Sequence, residues 1–83
     1  MSASRVLIVD DSLTIRRALE MILKPLGYEL DFALDGAQAL ERATALRPDL
    51  ILLDYVLPDM SATDVCSALA ANPATAHTPI ILV

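Results

Sequence analysis

Three short runs of apolar residues set the main limits on how this chain can fold. They read VLIV at residues 6–9, LILL at residues 50–53 and IILV at residues 80–83. An apolar run with no polar alternation is typical of a strand that is buried on both faces, as in a parallel sheet. The three runs therefore predict a layered α/β fold in which helices cover the sheet.

Helical periodicity appears in the first interval between these runs. Over residues 13–26, apolar side chains spaced by four, three and four positions form one helical stripe: Ile15, Leu19, Ile22 and Leu26. Gly27 is a C-terminal stop for this helix, and Pro25 in its last turn favours a kink. Residues 28–32 then alternate between apolar and polar types, which indicates a strand nearer the edge of the sheet.

Two further helices are predicted in the second half of the chain. Residues 37–46 carry a second apolar stripe, and Pro48 stops that helix. The sequence Ser61-Ala-Thr-Asp64 is similar to a capping box and opens a third helix that runs to about Ala71. The predicted order is β-α-β-α-β-α-β, in one domain.

Composition excludes several classes of function. The chain has 83 residues, with eleven acidic and six basic side chains and a formal charge of -5. This charge disfavours binding to a phosphate backbone, so we expect no direct nucleic-acid partner. The N-terminus lacks the order of a signal peptide, and no run is apolar enough to span a bilayer. We therefore expect no membrane association and a cytoplasmic location.

Cysteine and histidine give no sign of a thiol or zinc site. Cys66 is the single cysteine, so it cannot form an internal disulfide, and no CxxC or Cys/His cluster is present. We interpret Cys66 as a small packing residue of the third helix. His77 has no base-orienting neighbour in its loop, and we interpret it as a surface residue.

Acidic residues follow two of the apolar runs directly. Asp10 and Asp11 come after the first run, and Asp54 comes after the run at residues 50–53. Ligands of doubly wound α/β folds bind beyond the carboxyl ends of the strands, where the strand order reverses. If the two strands are neighbours, the three carboxylates converge, and an all-oxygen cluster of this kind suits Mg²⁺.

Four segments in order, VLIVDDS, GYELDFALDGAQAL, PDLILLDYVLPDM and TPIILV, resemble the receiver domain of two-component response regulators. The resemblance covers residues 5–83. It implies a flavodoxin-like three-layer α/β fold with a parallel sheet in the order 2-1-3-4. The match ends before the family's usual fifth strand and last two helices, so we expect residues 1–83 to form a partial receiver domain of a longer regulator.

The resemblance also implies roles for individual residues. Asp54 corresponds to the phosphoacceptor, which takes a phosphoryl group from a sensor histidine kinase or a phosphotransfer protein. Asp10, Asp11 and Asp54 correspond to side chains that hold Mg²⁺, with Asp11 as the expected direct ligand, and the backbone carbonyl of Val56 completes the set. Such a domain accepts a phosphoryl group on itself and is not a turnover enzyme.

The chain departs from the family pattern in two places. Where the family commonly has an acidic residue and a glycine after Pro-x-Met, this chain has Ser61-Ala62. This puts the path of that loop in question, although Ser61 can cap the next helix. The chain also ends before the family's hydroxyl residue and lysine that contact the phosphoryl group, so we expect transfer to these 83 residues to be weak.

The count of helices predicts self-association. If the crossovers are right-handed, the first helix lies alone on one face of the sheet, and the second and third share the other. Part of the first face is then bare, and the strand at residues 80–83 is an open apolar edge. We expect a homo-oligomer formed through the uncovered face or the fourth-strand edge.

Two functions of other classes stay open at this point. One is a non-phosphorylated interaction or dimerisation module with a receiver-like fold. The other is a phosphohydrolase with an aspartate nucleophile, but such enzymes often carry an Asp-x-Asp pair, and here the pair is adjacent. Simple structural roles are also open: Asp11 or Ser12 as the cap of the first helix, and Asp59 and Asp64 as loop and cap residues.

Overall fold

Strands and helices alternate along the chain in the predicted order. The computed structural model describes residues 4–83; the start of the N-terminal stretch considered for a signal peptide, residues 1–3, lies outside this range. The elements are β1 (Arg5–Val9), α1 (Leu13–Leu23), a short 3-10 helix (Lys24–Leu26), β2 (Glu29–Ala33), α2 (Gly36–Leu46), β3 (Leu50–Leu53), α3 (Ala62–Ala71) and β4 (Ile80–Leu82).

The four strands form one parallel sheet in the order β2-β1-β3-β4. This confirms the predicted order 2-1-3-4. Val9, the last residue of β1, is in register with Leu53, the last residue of β3, on one side and with Ala33 of β2 on the other. The carboxyl ends of β1 and β3 therefore lie side by side, and the chain leaves both strands at the same level.

The end of the first helix differs from the prediction. The α-helix stops at Leu23, and the three residues that follow form a 3-10 turn instead of continuing the predicted helix to residue 26. Pro25 explains the change, because it has no N–H to donate and its ring crowds the preceding turn of an α-helix. Gly27 ends the turn at φ 94°, a left-handed conformation that glycine adopts without a steric penalty.

The main core lies between the sheet and the helices α2 and α3. Alternate residues of the strands form it with both helices; its fully buried members include Leu7, Val9, Ile51 and Leu53 from the sheet, Ala43 from α2, and Val65 and Leu69 from α3. The partly buried Cys66 also packs against this cluster, as predicted. His77 is exposed, as predicted.

The opposite face of the sheet carries α1 alone, as handedness predicts. Residues of α1 share a shallow groove with Phe32, which by strand alternation points away from the main core. No residue of α1 is fully buried, and Ile22 in its apolar stripe remains 61% exposed. Ile81 of β4, on the same face, is 50% exposed. The apolar stripe was predicted correctly, but it is only partly covered.

Candidate functional site

The three predicted carboxylates converge at the carboxyl edge of the sheet. One oxygen from each of Asp10, Asp11 and Asp54 lies within 4.8 Å of the others. Strand pairing continues past the strand ends, because Asp54 donates its backbone N–H to the Val9 carbonyl at 2.9 Å, and Asp10 donates to the Ala33 carbonyl at 3.0 Å. The backbone thus fixes where these residues leave the sheet.

The three carboxylates have different surroundings. Asp10 is buried, and its Oδ1 accepts a hydrogen bond from the Ser12 N–H at 2.8 Å. Asp11 is exposed and Asp54 is half-buried. Ser12, and not Asp11, caps α1, because its hydroxyl oxygen accepts from the Ile15 N–H at 3.3 Å. The hydrogen bond from the Ser12 N–H therefore ties Asp10 to the turn before α1. Asp11 does not cap the helix, and its side chain is exposed to solvent.

Within residues 4–83, no salt bridge is recorded to any of these three carboxylates. Arg16 of α1 comes near, but its Nη1 donates to the backbone carbonyl of Asp10 at 2.8 Å. The cluster is thus a set of hard oxygen donors of like charge with no protein cation bonded to it. This donor set fits a small divalent cation that binds through one or two carboxylates and keeps its waters, as Mg²⁺ does.

Val56 lies next to Asp54 at the start of the loop that leads to α3. Its backbone N–H donates to Asp54 Oδ1 at 3.2 Å. Val56 also forms an isolated antiparallel bridge with Ser61, which closes the base of a short loop, residues 56–61. The predicted site residues Asp10, Asp11, Asp54 and Val56 thus all lie at this edge of the sheet.

The missing glycine after Pro-x-Met does not disturb the loop. Ser61 has an extended backbone, and its hydroxyl oxygen accepts from the Asp64 N–H at 3.0 Å, so the predicted cap of α3 is present. In the part of the chain that the structure describes, positive φ angles occur at Gly27 and Arg47 alone, and both are far from this loop in sequence. Ala62 is buried in the core. An alanine therefore suits its position.

Asp59 has a role that the sequence did not specify. It lies in the loop between β3 and α3, as predicted, and it also caps α2, a helix that is distant in the sequence. Its Oδ1 accepts from the Gly36 N–H at 2.7 Å, and its Oδ2 accepts from the Ala37 N–H at 3.0 Å. These two hydrogen bonds lower the pKa of Asp59 below its usual value, and the one from Gly36 has the larger effect. Asp64 lies in the first turn of α3, where an acidic side chain favours the helix.

No helix among residues 4–83 combines the length and the apolar character needed to cross a membrane.

The fold and the geometry together define a doubly wound α/β domain with an acidic cluster at the carboxyl edge of its sheet. A model of the response regulator receiver domain matches residues 6–83. The chain belongs to the response regulator receiver domain family, whose members act in the phosphorelay signalling of two-component systems.

Curated relatives of this chain are longer response regulators. Response regulator PleD of Caulobacter vibrioides is 41% identical over 81 residues, which is 98% of this chain and 18% of PleD. The DNA-binding response regulator MtrA of Mycobacterium tuberculosis is 43% identical over 68 residues, which is 82% of this chain and 30% of MtrA. The chain thus spans less than a third of the length of either relative.

Solved structures of receiver domains superpose closely on the chain. Chemotaxis response regulator CheY4 of Vibrio cholerae has a TM-score of 0.92 and 35% identity, covering 96% of this chain and 67% of that one. The receiver domain of sensor histidine kinase PA1611 from Pseudomonas aeruginosa has a TM-score of 0.91 and 30% identity, covering 96% and 66%. The latter structure has a magnesium ion coordinated in its active site cleft.

Proposed function

We propose that residues 1–83 form part of a single receiver domain that accepts a phosphoryl group on Asp54. The donor is the phosphohistidine of a sensor histidine kinase or of a phosphotransfer protein. One observation carries this proposal: the half-buried Asp54 shares the carboxyl edge of the sheet with Asp10 and Asp11, and no salt bridge within the described residues compensates the three charges.

The chemistry required of Asp54 is that of a carboxylate nucleophile. One of its oxygens forms a bond to phosphorus as the phosphorus–nitrogen bond of the phosphohistidine breaks. The bonding electrons stay on the imidazole nitrogen, which takes a proton from solvent. The Val56 N–H donates a hydrogen bond to Asp54 Oδ1 and so orients the carboxylate. The phosphoryl group remains on the domain as an acyl phosphate, so the domain is a self-modified acceptor and not a turnover enzyme.

Asp10, Asp11, Asp54 and the backbone carbonyl of Val56 are the groups that would hold Mg²⁺, with Asp11 as the direct ligand. When bound, Mg²⁺ would neutralise charge between the carboxylates and the phosphoryl oxygens. The magnesium in the similar PA1611 receiver domain supports this assignment, as does the all-oxygen donor set of this chain. The residues themselves position the nucleophile, which is the main contribution of a protein to phosphoryl transfer.

Intact mass spectrometry tests the proposed acceptor. After incubation with Mg²⁺ and a small acyl phosphate, we expect a fraction of the chain to gain one phosphoryl group. Asp54→Asn should gain none, because an amide oxygen is a poor nucleophile, whereas Asp64→Asn removes an acidic charge outside the cluster and should keep the gain. A folded chain with no gain would favour the non-phosphorylated interaction module, and turnover of many phosphates would favour the phosphohydrolase.

The location and the remaining partners follow from charge and composition. We propose that these residues act in the cytoplasm, away from membranes, and make no direct contact with nucleic acid, because their formal charge is -5. MtrA is named as a DNA-binding regulator, but the match covers only 30% of it. We propose that any nucleic-acid contact of a longer protein is made by segments outside these residues.

Self-association is the second part of the proposal. Within residues 4–83, β4 pairs with β3 on one side and has no partner strand on the other, and Ile81 lies half-exposed on the sparsely covered face. Ile22, in the apolar stripe of α1 on the same side of the sheet, is also 61% exposed. We propose a homo-oligomer formed through the uncovered face or the β4 edge. Light scattering at micromolar concentration tests it, and a stable compact monomer would contradict it.

A further inference from the structure

The loop between β3 and α3 is attached at its tip as well as at its base. The Val56–Ser61 bridge closes the base. At the tip, the two carboxylate oxygens of Asp59 accept hydrogen bonds from the first two N–H groups of α2, those of Gly36 and Ala37. We call this pair of hydrogen bonds the Asp59 clasp. It joins the loop to a helix that lies 22 and 23 residues earlier in the sequence.

A second contact holds the same two segments together. A Cβ placed on Gly36 would lie 2.7 Å from Met60 Sδ and 2.9 Å from Met60 Cβ. Met60 in turn packs against the main core. Because Met60 Cβ cannot move without the backbone, no larger residue fits at position 36 unless the loop shifts. The tip of the loop is therefore fixed by the two hydrogen bonds of the Asp59 clasp and by one steric contact.

The base of this loop borders the acidic cluster. Val56 donates its N–H to Asp54 Oδ1, and its carbonyl belongs to the set of groups proposed to hold Mg²⁺. A movement of the loop would move Val56 relative to Asp54. We propose that Asp59 is a positioning residue for the acidic cluster: the Asp59 clasp fixes the loop that carries Val56, and so tunes the affinity of the cluster for Mg²⁺. This inference rests on the proposed function.

Both hydrogen bonds of the Asp59 clasp need an acceptor oxygen, and a carboxylate supplies two. The two N–H groups belong to the helix start, where donors have no intrahelical partner. The helix's own cap, Asp35, accepts from the Gln38 N–H and leaves the first two donors free. A carboxylate offers an acceptor oxygen to each donor, whereas an asparagine offers one acceptor and an NH₂ group that would face the second N–H. Asp59→Asn should therefore break half of the clasp and leave the shape of the side chain unchanged.

Calorimetric titration with Mg²⁺ tests the positioning role. We expect Asp59→Asn to raise the Kd for Mg²⁺ about tenfold, the lower end of what outer-shell substitutions cost at metal sites. Asp64→Asn is the matched control, because it removes an equal charge five residues further on, outside the clasp. We expect it to change the Kd by less than about twofold. Circular dichroism identifies a temperature at which every variant is folded, so a loss of stability alone does not alter the Kd.

Gly36→Ala is an independent second variant, since it strains the Met60 contact and leaves Asp59 unchanged. It should also raise the Kd for Mg²⁺. The double variant Asp59→Asn/Gly36→Ala should cost less than the two single effects combined, because both act through one loop. If Asp59→Asn and Asp64→Asn have the same Kd as the wild type, the positioning role is wrong while the proposed function stands. A wild-type chain that binds no Mg²⁺ and gains no phosphoryl group overturns both.

Discussion

Each end of the sheet has a group of three acidic residues, and the two groups differ in their contacts with basic side chains. At the carboxyl end, Asp10, Asp11 and Asp54 converge with no salt bridge recorded within residues 4–83. At the amino end, the Arg5 guanidinium pairs with Glu29 and Asp31, and the Arg5 backbone N–H donates to Asp49. A group of acidic residues is therefore not in itself the sign of a site. The carboxyl-end group differs from the amino-end group in that no basic side chain among residues 4–83 forms a salt bridge with it.

The contacts at the amino end compensate its negative charge in part, because one arginine faces three carboxylates. The Arg5 guanidinium lies 3.1 Å from Glu29 and 3.6 Å from Asp31, and the Arg5 N–H donates to Asp49 Oδ2 at 2.7 Å. The hydrogen bond to Glu29, followed by the charge of Asp31, raises the pKa of Arg5. These contacts tie the starts of β1, β2 and β3 together. The amino end thus has a basic side chain in contact with its acidic groups, whereas the carboxyl end keeps a repulsion that a bound cation would relieve.

The largest expected effect is a difference in Mg²⁺ affinity between variants at the two ends of the sheet. Asp11→Asn should raise the Kd for Mg²⁺ by at least about tenfold, because it removes the proposed direct ligand. Asp49→Asn removes an equal charge at the amino end and should leave the Kd within about twofold of the wild-type value. Calorimetric titration of both variants checks this. Equal losses of affinity would mean that overall charge, and not the cluster, attracts the ion.

The same two substitutions should change the free energy of unfolding in opposite directions. Asp49→Asn should lower the free energy of unfolding, since the Arg5 N–H loses a charged acceptor at 2.7 Å. Without Mg²⁺, Asp11→Asn should raise it, by up to about 1 kcal/mol, because like charges no longer converge. Urea unfolding in the presence of a chelator measures both. A loss of stability in Asp11→Asn without metal would show that the carboxyl end holds no repulsion.

A smaller effect concerns Asp59, an acidic residue at the carboxyl end that does have partners. Its pKa is lowered in the folded chain, because the Gly36 and Ala37 N–H groups favour the ionised form. The stability that it contributes is therefore fully present above its unfolded pKa of 3.8 and is lost as the pH falls through the lower, folded value. We expect the stability advantage of the wild type over Asp59→Asn to shrink below about pH 4. An advantage independent of pH from 7 to 2 would contradict this.

The smallest expected effect is a change in the free energy of unfolding when the backbone conformation of Arg47, at the amino end, is relieved of strain. Arg47 ends α2 in a left-handed conformation, φ 47°, and its backbone N–H donates to the Ala43 carbonyl. A residue with a Cβ pays a steric cost there that glycine does not. Arg47→Gly should raise the free energy of unfolding by about 0.5 kcal/mol and leave the Kd for Mg²⁺ unchanged. Chemical unfolding and Mg²⁺ titration of this variant check the two expectations.

The sequence was most informative where geometry follows from order alone. Once residues 6–9 and 50–53 are recognised as neighbouring parallel strands, Asp10, Asp11 and Asp54 must leave the sheet at one edge. The capping roles of Ser12 and Ser61 and the stop at Gly27 also depend on neighbours a few residues away. For these caps and this stop the physical cause lies in the local sequence, whereas the meeting of the three carboxylates follows from the strand order.

Contacts between distant segments were not predictable in the same way. The Asp59 clasp joins residues 22 and 23 positions apart and depends on how the loop packs against α2. The contacts of Arg5 depend on the strand register that places it opposite Glu29. The end of α1 at Leu23 reflects a small difference between α and 3-10 geometry before Pro25, which periodicity does not resolve. The apolar stripe of α1 was clear, but its exposure depends on which elements cover it.

Amide chemical shifts recorded during a Mg²⁺ titration test the central comparison most directly, because they report on both ends of the sheet in one sample. We predict that the shifts concentrate at Asp10, Asp11 and residues 54–56, and extend through the Asp59 clasp to Gly36. No change is expected in the amide chemical shifts of the amino-end residues Arg5, Glu29, Asp31 and Asp49. Shifts centred on the amino end, or spread evenly over the acidic surface, would contradict the claim that the carboxyl-end cluster is the cation site.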